Sequence, residues 1–389
     1  MAAASLQRLN DLRVATERLP GVRVLGNDRF TVAMFGLLAF LSTIRNVPGP
    51  EWFSIELHNY AWALDRLMTD QRIYSVPLPN NPLNPGAHYT PPPFTPLLGG
   101  QFADSPILWG VINLSAMAAG ILFAAAASGA ISGRQPLRVI VVALLAVVGF
   151  GPAVTVLLLG NQQGFVLLAL GGAWWLERRH PAASGVALAA AALLKLFPGM
   201  LLARTIARGH WRKLVSAAAT SIVVIVVSAV LLGPQRYVNF MHNLIDRAQP
   251  AFDQDFNLAP ATMFDSFPVT AVILLTGVLL IVTSARRDEP AVSFARAIIV
   301  SLVVWPVMWY QYASIALIAA AATLDRRTWR WLAVSLFLFS IANPLTWIAA
   351  GIVGWLGVGR FREVVPAATV DALAATPATP SPGALSATT

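Results

Sequence analysis

The stretch SIELHNYAWALDRLMTDQRIY, residues 54–74, decides how this chain is read. It carries Glu56, Asp65, Arg66, Asp70 and Arg72, yet stands between two apolar runs, FTVAMFGLLAFLS (30–42) and ILWGVINLSAMAAGILFAAAA (107–127). Leu57, Ala61, Leu64 and Met68 recur at helical spacing, while Glu56, Asn59, Ala63, Arg66 and Asp70 follow an adjacent, mostly polar face. A helix with two such faces lies along a membrane interface and does not cross it. The next segment, YSVPLPNNPLNPGAHYTPPPFTP (74–96), is full of prolines that fix φ and remove donors. A connection this long without regular structure is usually a binding loop. A solvated interfacial helix with a stiff linker would give the same pattern.

The composition names the solvent. Of 389 residues, 57% are hydrophobic and only 12% charged, whereas a soluble domain is about a quarter charged. The chain is built for lipid. It has no cysteine, which excludes disulfide and thiolate chemistry. The net charge is +9 and the basic residues are almost all arginine. In a lipid-embedded chain such residues orient loops and meet anionic headgroups, so no nucleic-acid partner is expected.

A span needs roughly 17–25 apolar residues. Runs of that kind, some short, fall near 30–47, 106–128, 138–159, 163–176, 183–196, 197–206, 214–232, 268–284, 292–307, 309–323, 329–343 and 345–359. They predict an all-α polytopic membrane protein of about twelve crossings. With residues 1–29 as a cytoplasmic tail, the inner loops hold GRQPLR (133–138), ERRH (177–180), ARGHWRK (207–213), ARRDE (285–289), DRRTWR (325–330) and RFRE (360–363). All are basic or carry an arginine pair, as the positive-inside rule requires. The outer loops, 48–105 and 233–267, collect acids, among them Glu56, Asp65, Asp246, Asp253 and Asp255. The membrane domain then occupies 30–363. Residues 364–389, rich in Ala, Thr, Pro and Ser, are expected to be a disordered cytoplasmic tail.

Several short motifs resemble one family. Glu56-Leu57-His58-Asn59-Tyr60, Arg72-Ile73-Tyr74 and Tyr89-Thr90-Pro91-Pro92-Pro93-Phe94 resemble the first extracytoplasmic loop of the family 87 glycosyltransferases. Gly160-Asn161-Gln162-Gln163 is a further match, and Lys195-Leu196-Phe197-Pro198 is similar to the family's Lys-Leu-Thr-Pro. Asn257-Leu258-Ala259 stands where the family has Asn-x-Ser, and Trp305 to Tyr312 resembles its Pro-x-Ser-Trp-x-His motif. The matches keep the family's order over roughly residues 50–315. The resemblance implies a GT-C-like bundle in a bacterial cell membrane, with its active site on the extracytoplasmic side. It also implies an inverting enzyme that moves mannose or arabinofuranose from a polyprenyl-phosphate sugar to a glycolipid or polysaccharide. Three positions depart from the pattern: Glu56 replaces an aspartate, Gln311 a histidine and Ala259 a hydroxyl residue.

Such a transfer needs a base, a cation for the leaving phosphate and groups that grip a sugar. Glu56 takes the family's base position, and Asp65 is second. For the phosphate, Lys195, Arg236 and Arg247 are the candidates. Lys195 lies inside an apolar stretch, where an ionisable group suggests function unless it snorkels to the interface. Arg204 ranks below it, because snorkelling accounts for it. His58, Tyr60, Tyr89, Asn161, Gln162, Trp309, Tyr310 and Gln311 are candidates for sugar or acceptor contacts. Turn chemistry and aromatic anchoring would also explain several of them. The histidines have no ligand spacing and no Gly-rich phosphate loop is present, so neither a metal nor another cofactor is expected. Two rival readings remain. A lipid-carrier flippase would place its charges near the midplane, and an inactive homologue would be consistent with Gln311 and Ala259.

Overall fold

The structure, a computed structural model, describes residues 28–46, 53–74, 76, 78, 89, 91–129, 144–247, 257–264, 266–323 and 329–359. Residues 1–27 of the tail expected over 1–29, the tail expected over 364–389, and most of the proline-rich segment with His88 lie outside the described residues, while Asp28 and Arg29 already belong to the first helix. Among the described residues all regular structure is helical.

In chain order the α-helices are α1 (Asp28–Asn46), α2 (Ile55–Met68), α3 (Thr95–Gly99), α4 (Pro106–Ala127) and α5 (Gly151–Leu159). Next come α6 (Gln163–Leu176), α7 (Pro181–Leu194), α8 (Leu201–Ala207), α9 (Trp211–Leu232) and α10 (Pro234–Arg247). The chain continues with α11 (Phe267–Arg287), α12 (Pro290–Val304), α13 (Ala316–Ala322), α14 (Trp329–Phe339) and α15 (Pro344–Gly359). Prolines open many of them, including α4, α7 and α12. There the missing N–H would be unpaired anyway and the fixed φ already suits the helix.

Among the described residues three helices are long and apolar enough to cross a bilayer: α4, α9 and α11. Shorter apolar helices pack beside them, α6 on α4, α7 on α9 and α12 on α11, and α15 packs in turn on α12. Only 11% of the α9 window is buried against 44% for α4. Ile222, Val226 and Val230 of α9 point outward, so α9 is a peripheral helix with a lipid-facing flank. Where helices must touch, small residues let them: a Cβ on Gly171 of α6 would come within 2.0 Å of the Gly120 carbonyl oxygen of α4.

The short helices set the depth of the site. α6 and α7 have 14 residues each, so each spans about 21 Å at 1.5 Å per residue, less than the roughly 30 Å hydrocarbon layer. Both leave the same turn, residues 177–180, beside a buried ion cluster. Arg204 (1% exposed) and Lys213 (2%) meet the Glu177 carboxylate there at 2.8 and 2.6 Å. The far ends of α6 and α7, at Gln163 and Lys195, lie at the end of these helices remote from that cluster.

The amphipathic helix α2 is present, but its buried stripe differs from the expected one. Leu57, Tyr60, Ala63 and Leu67 face the protein, while Met68 is 75% exposed. The reason is close backbone contact. A Cβ on Gly100 would come within 2.8 Å of the Tyr60 carbonyl oxygen, so α2 turns its Tyr60–Ala63 side inward. In a chain surrounded by lipid, an apolar residue such as Met68 gains little from turning to the core, so hydrophobic periodicity mislocates the face.

Candidate active site

Gly160 builds the first half of the site. It ends α5 in the left-handed region at φ 71°, where a Cβ would also meet the Leu57 Cβ at 2.9 Å. The Ser54 amide donates to the Leu158 carbonyl at 2.7 Å, and the Trp109 indole N–H donates to the Gly160 carbonyl at 2.8 Å. The start of α2 is thus stitched to the end of α5. Asn161 follows. Its Oδ1 accepts from the Gln163 amide at 2.8 Å, which fixes its rotamer, and its Nδ2 donates to Oε2 of Glu56.

Two more donors reach the same carboxylate. The Tyr60 hydroxyl, one helical turn along α2, donates to Oε2 at 3.0 Å, and Gln311 Nε2 donates to Oε1 at 3.1 Å. Gln311 sits on a 3₁₀ turn, Tyr310–Ile315. The backbone ahead of that turn is pinned by Asn257, whose Oδ1 accepts from the amides of Met308 (2.8 Å) and Ala259 (3.1 Å) while its Nδ2 donates to the Pro306 carbonyl. Ala259 contributes through its backbone here, with no hydroxyl required.

The cation comes from the break between α7 and α8. Lys195 leaves α7 in an extended conformation, and Pro198 starts a separate 3₁₀ turn, Phe197–Met200. The Lys195 Nζ donates to the Tyr312 hydroxyl at 3.1 Å and lies 4.7 Å from that ring's centroid, and Phe197 stacks on the same ring with centroids 5.3 Å apart. Glu56 and Tyr312 both act electrostatically on Lys195. Burial, followed by the Glu56 charge, holds the Tyr60 hydroxyl well above the usual phenol range, so it stays a donor. Burial does the same for Tyr89, with Tyr74 and then Glu56 adding to it.

The structure therefore brings together Glu56, Tyr60, Asn161, Lys195 and Gln311, with Tyr89 within electrostatic range and Gln162 buried beside Asn161. Other expected site residues stand elsewhere. The Arg236 guanidinium bonds the Leu67 and Gln71 carbonyls and the Asp70 carboxylate, closing the end of α2. Arg247 ends α10, but its side chain lies outside the described residues. His58 is exposed and its Nδ1 pairs with the Ser54 carbonyl, and Asp65 is exposed on the same helix. The Tyr310 hydroxyl donates to the Ser340 carbonyl at 2.9 Å, and Trp309 is half-buried in the extended segment before it.

Sequence reasoning missed the ion cluster at the other end of α6. Arg204 does not snorkel to water. It makes two bonds to Glu177 at 2.8 Å and a third, at 3.0 Å, to Ser293. Glu177 was hidden in a loop read only for its arginines.

The model of the family described as Glycosyltransferase family 87 matches residues 88–310, more than half of the chain. The match takes in Asn161, Lys195 and Asn257 and ends one residue before Gln311, while Glu56 precedes it. No curated protein and no solved structure matches the chain. The chain belongs to glycosyltransferase family 87.

Proposed function

We propose that this protein is an inverting membrane glycosyltransferase of GT-C-like, roughly twelve-span architecture. It takes a mannosyl or arabinofuranosyl unit from a polyprenyl-phosphate sugar and places it on an extracytoplasmic glycolipid or polysaccharide. Family membership and the all-helical, lipid-suited fold support a glycosyltransferase in general. The observation that carries the finer reading is the Glu56 carboxylate, oriented by Tyr60, Asn161 and Gln311 and within electrostatic range of Lys195.

A carboxylate has about four acceptor positions. Glu56 uses three of them, for Tyr60, Asn161 and Gln311. The fourth, on Oε1, is open to the acceptor's hydroxyl. In the proposed step that hydroxyl gives its proton to Glu56 as its oxygen bonds to the anomeric carbon of the donor. The bond from that carbon to the phosphate oxygen breaks, and its electron pair leaves with the phosphate. Lys195 stabilises the charge that develops there. Attack and departure on opposite faces invert the anomeric centre. Arg247 remains a candidate for the phosphate, with Trp309, Tyr310 and His58 for sugar contacts.

Incubating the purified full-length protein with radiolabelled polyprenyl-phosphate mannose, or its arabinose analogue, and membrane glycolipids tests the reading. Transfer from one donor is expected. Glu56→Gln should lower turnover by about 10²–10⁴-fold while donor binding persists. A flippase would be indifferent to this substitution, and an inactive homologue would show no transfer to lose.

A further inference from the structure

Four buried side chains around Glu56 have polar atoms with no partner. Both amide atoms of Gln162 and of Gln163 are unpaired, as are the Tyr89 hydroxyl and the Ser314 hydroxyl. Gln162, Gln163 and Ser314 are 0% exposed and Tyr89 is 2%. Polar groups buried in this way are nearly always paired, and leaving one unpaired costs about 1–3 kcal/mol. Four such residues around one carboxylate are therefore a feature to explain.

Their placement is not accidental. Gln162 and Gln163 directly follow Asn161, which holds Glu56. Gln163 opens α6, and that helix packs against the 3₁₀ turn carrying Gln311. On a 3₁₀ turn, residues i and i+3 eclipse one another, so Ser314 lies on the same side of its turn as Gln311, which points at Glu56. Tyr89 is buried in one cluster with Leu57 and Tyr60, which follow Glu56 in α2, and feels the Glu56 charge. The four residues come from three separate parts of the fold, and each neighbours a residue that bonds Glu56: Asn161, Gln311 or Tyr60.

We infer that Gln162, Gln163, Tyr89 and Ser314 form a buried subsite for a sugar ring, reading its hydroxyls beside the base. The inference rests on the function proposed above and deepens it. The chemistry fits: two amides and two hydroxyls both donate and accept, as a ring of vicinal hydroxyls does. None of the four carries a charge, so the subsite selects a neutral polyol. The phosphate falls to Lys195. A site that hydrogen-bonds substrate hydroxyls discriminates strongly against a ligand lacking them, because its own polar groups are then left unpaired.

The sugar could be the donor's or the acceptor's, and the test separates them. Gln163→Met and Ser314→Ala are made in the full-length protein. Affinities are measured for bare polyprenyl phosphate and for polyprenyl-phosphate mannose and arabinose, together with the KM for the glycolipid acceptor and the melting temperature. Each variant removes unpaired polar atoms, so its melting temperature should stay level or rise. If the donor's sugar binds there, the preference for sugar-bearing over bare lipid should drop about five- to ten-fold per variant, with bare-lipid affinity unchanged. If the acceptor's sugar binds there, its KM should rise by a similar factor instead. The inference is overturned if neither quantity moves. It is also overturned if the variants melt lower and lose all ligands together, which is the signature of a structural role. Wild-type protein that ignores both sugar-phosphate lipids would sink the underlying function instead.

Discussion

At the scale of single residues, the site depends on a few backbone permissions. Gly160 is one of them. Its positive φ and its contact with Leu57 leave no room for a side chain, and the next residue is the one that donates to Glu56. Gly160→Ala should cost about 1–2 kcal/mol for the left-handed conformation alone, and more if Leu57 is displaced. A lower melting temperature is expected together with a larger loss in kcat than in donor affinity, since the base is misplaced while the phosphate site is not. Steady-state kinetics alongside calorimetry would show it, and equal losses in both parameters would argue against this role. Gln311 supplies a hydrogen bond that an amide can make at any pH. Orientation of Glu56 therefore needs no titrating partner at this position.

At the scale of elements, helices that are too short for a bilayer tie the site to an ion cluster on the far side. Arg204 on α8 and Lys213 on α9 both bond Glu177 in the turn after α6, while Arg204 also reaches Ser293 and Pro290 at the start of α12. Burial pushes the Glu177 carboxyl up, but the bonds and charges of Arg204 and Lys213 outweigh it and hold the group at about 2, below its ordinary 4.5. A depressed carboxyl adds stability that is complete above the ordinary value and fades as pH falls towards the depressed one. Glu177→Gln leaves two buried cations without their counter-charge and should destabilise the protein by about 3 kcal/mol at neutral pH. The melting-temperature gap between wild type and variant should then narrow as pH drops through the window between 4.5 and about 2. A gap that widened on acidification would refute the assignment. Helix α10 works similarly on α2: Arg236 closes the end of that helix, and Asn243 Nδ2 donates to the Tyr89 carbonyl at 3.3 Å.

At the scale of the whole molecule, the two charged clusters lie at opposite ends of α6 and α7, with the core of α4, α6, α12 and α13 between them. Lys195 and Glu56 belong to one end and Glu177, Arg204 and Lys213 to the other. The absence of native cysteine makes this arrangement directly testable. Asp65→Cys and Arg179→Cys each place a thiol at an exposed position, one beside each cluster. In intact cells a membrane-impermeant maleimide should label the first and not the second until the membrane is opened. Labelling of both in intact cells, or the reverse pattern, would invalidate the orientation.

The sequence by itself determined the helical class and the amphipathic helix within 54–74, and its composition and basic loops pointed to lipid as the solvent and to an orientation in it. These follow from composition and from period, which are local properties of the chain. It also pointed to Glu56, Asn161, Lys195 and Gln311, through short motifs in a family's order. Only the tertiary structure decided which of the expected residues meet. Arg236 and Lys195 look alike as cations in apolar or amphipathic surroundings, yet one caps a helix and the other feels the charge on Glu56. The same holds for the unpaired amides of Gln162 and Gln163, which are ordinary turn residues until the fold buries them. Hydrogen bonds join residues 105 and 255 positions apart around Glu56, and no local pattern can encode contacts of that range.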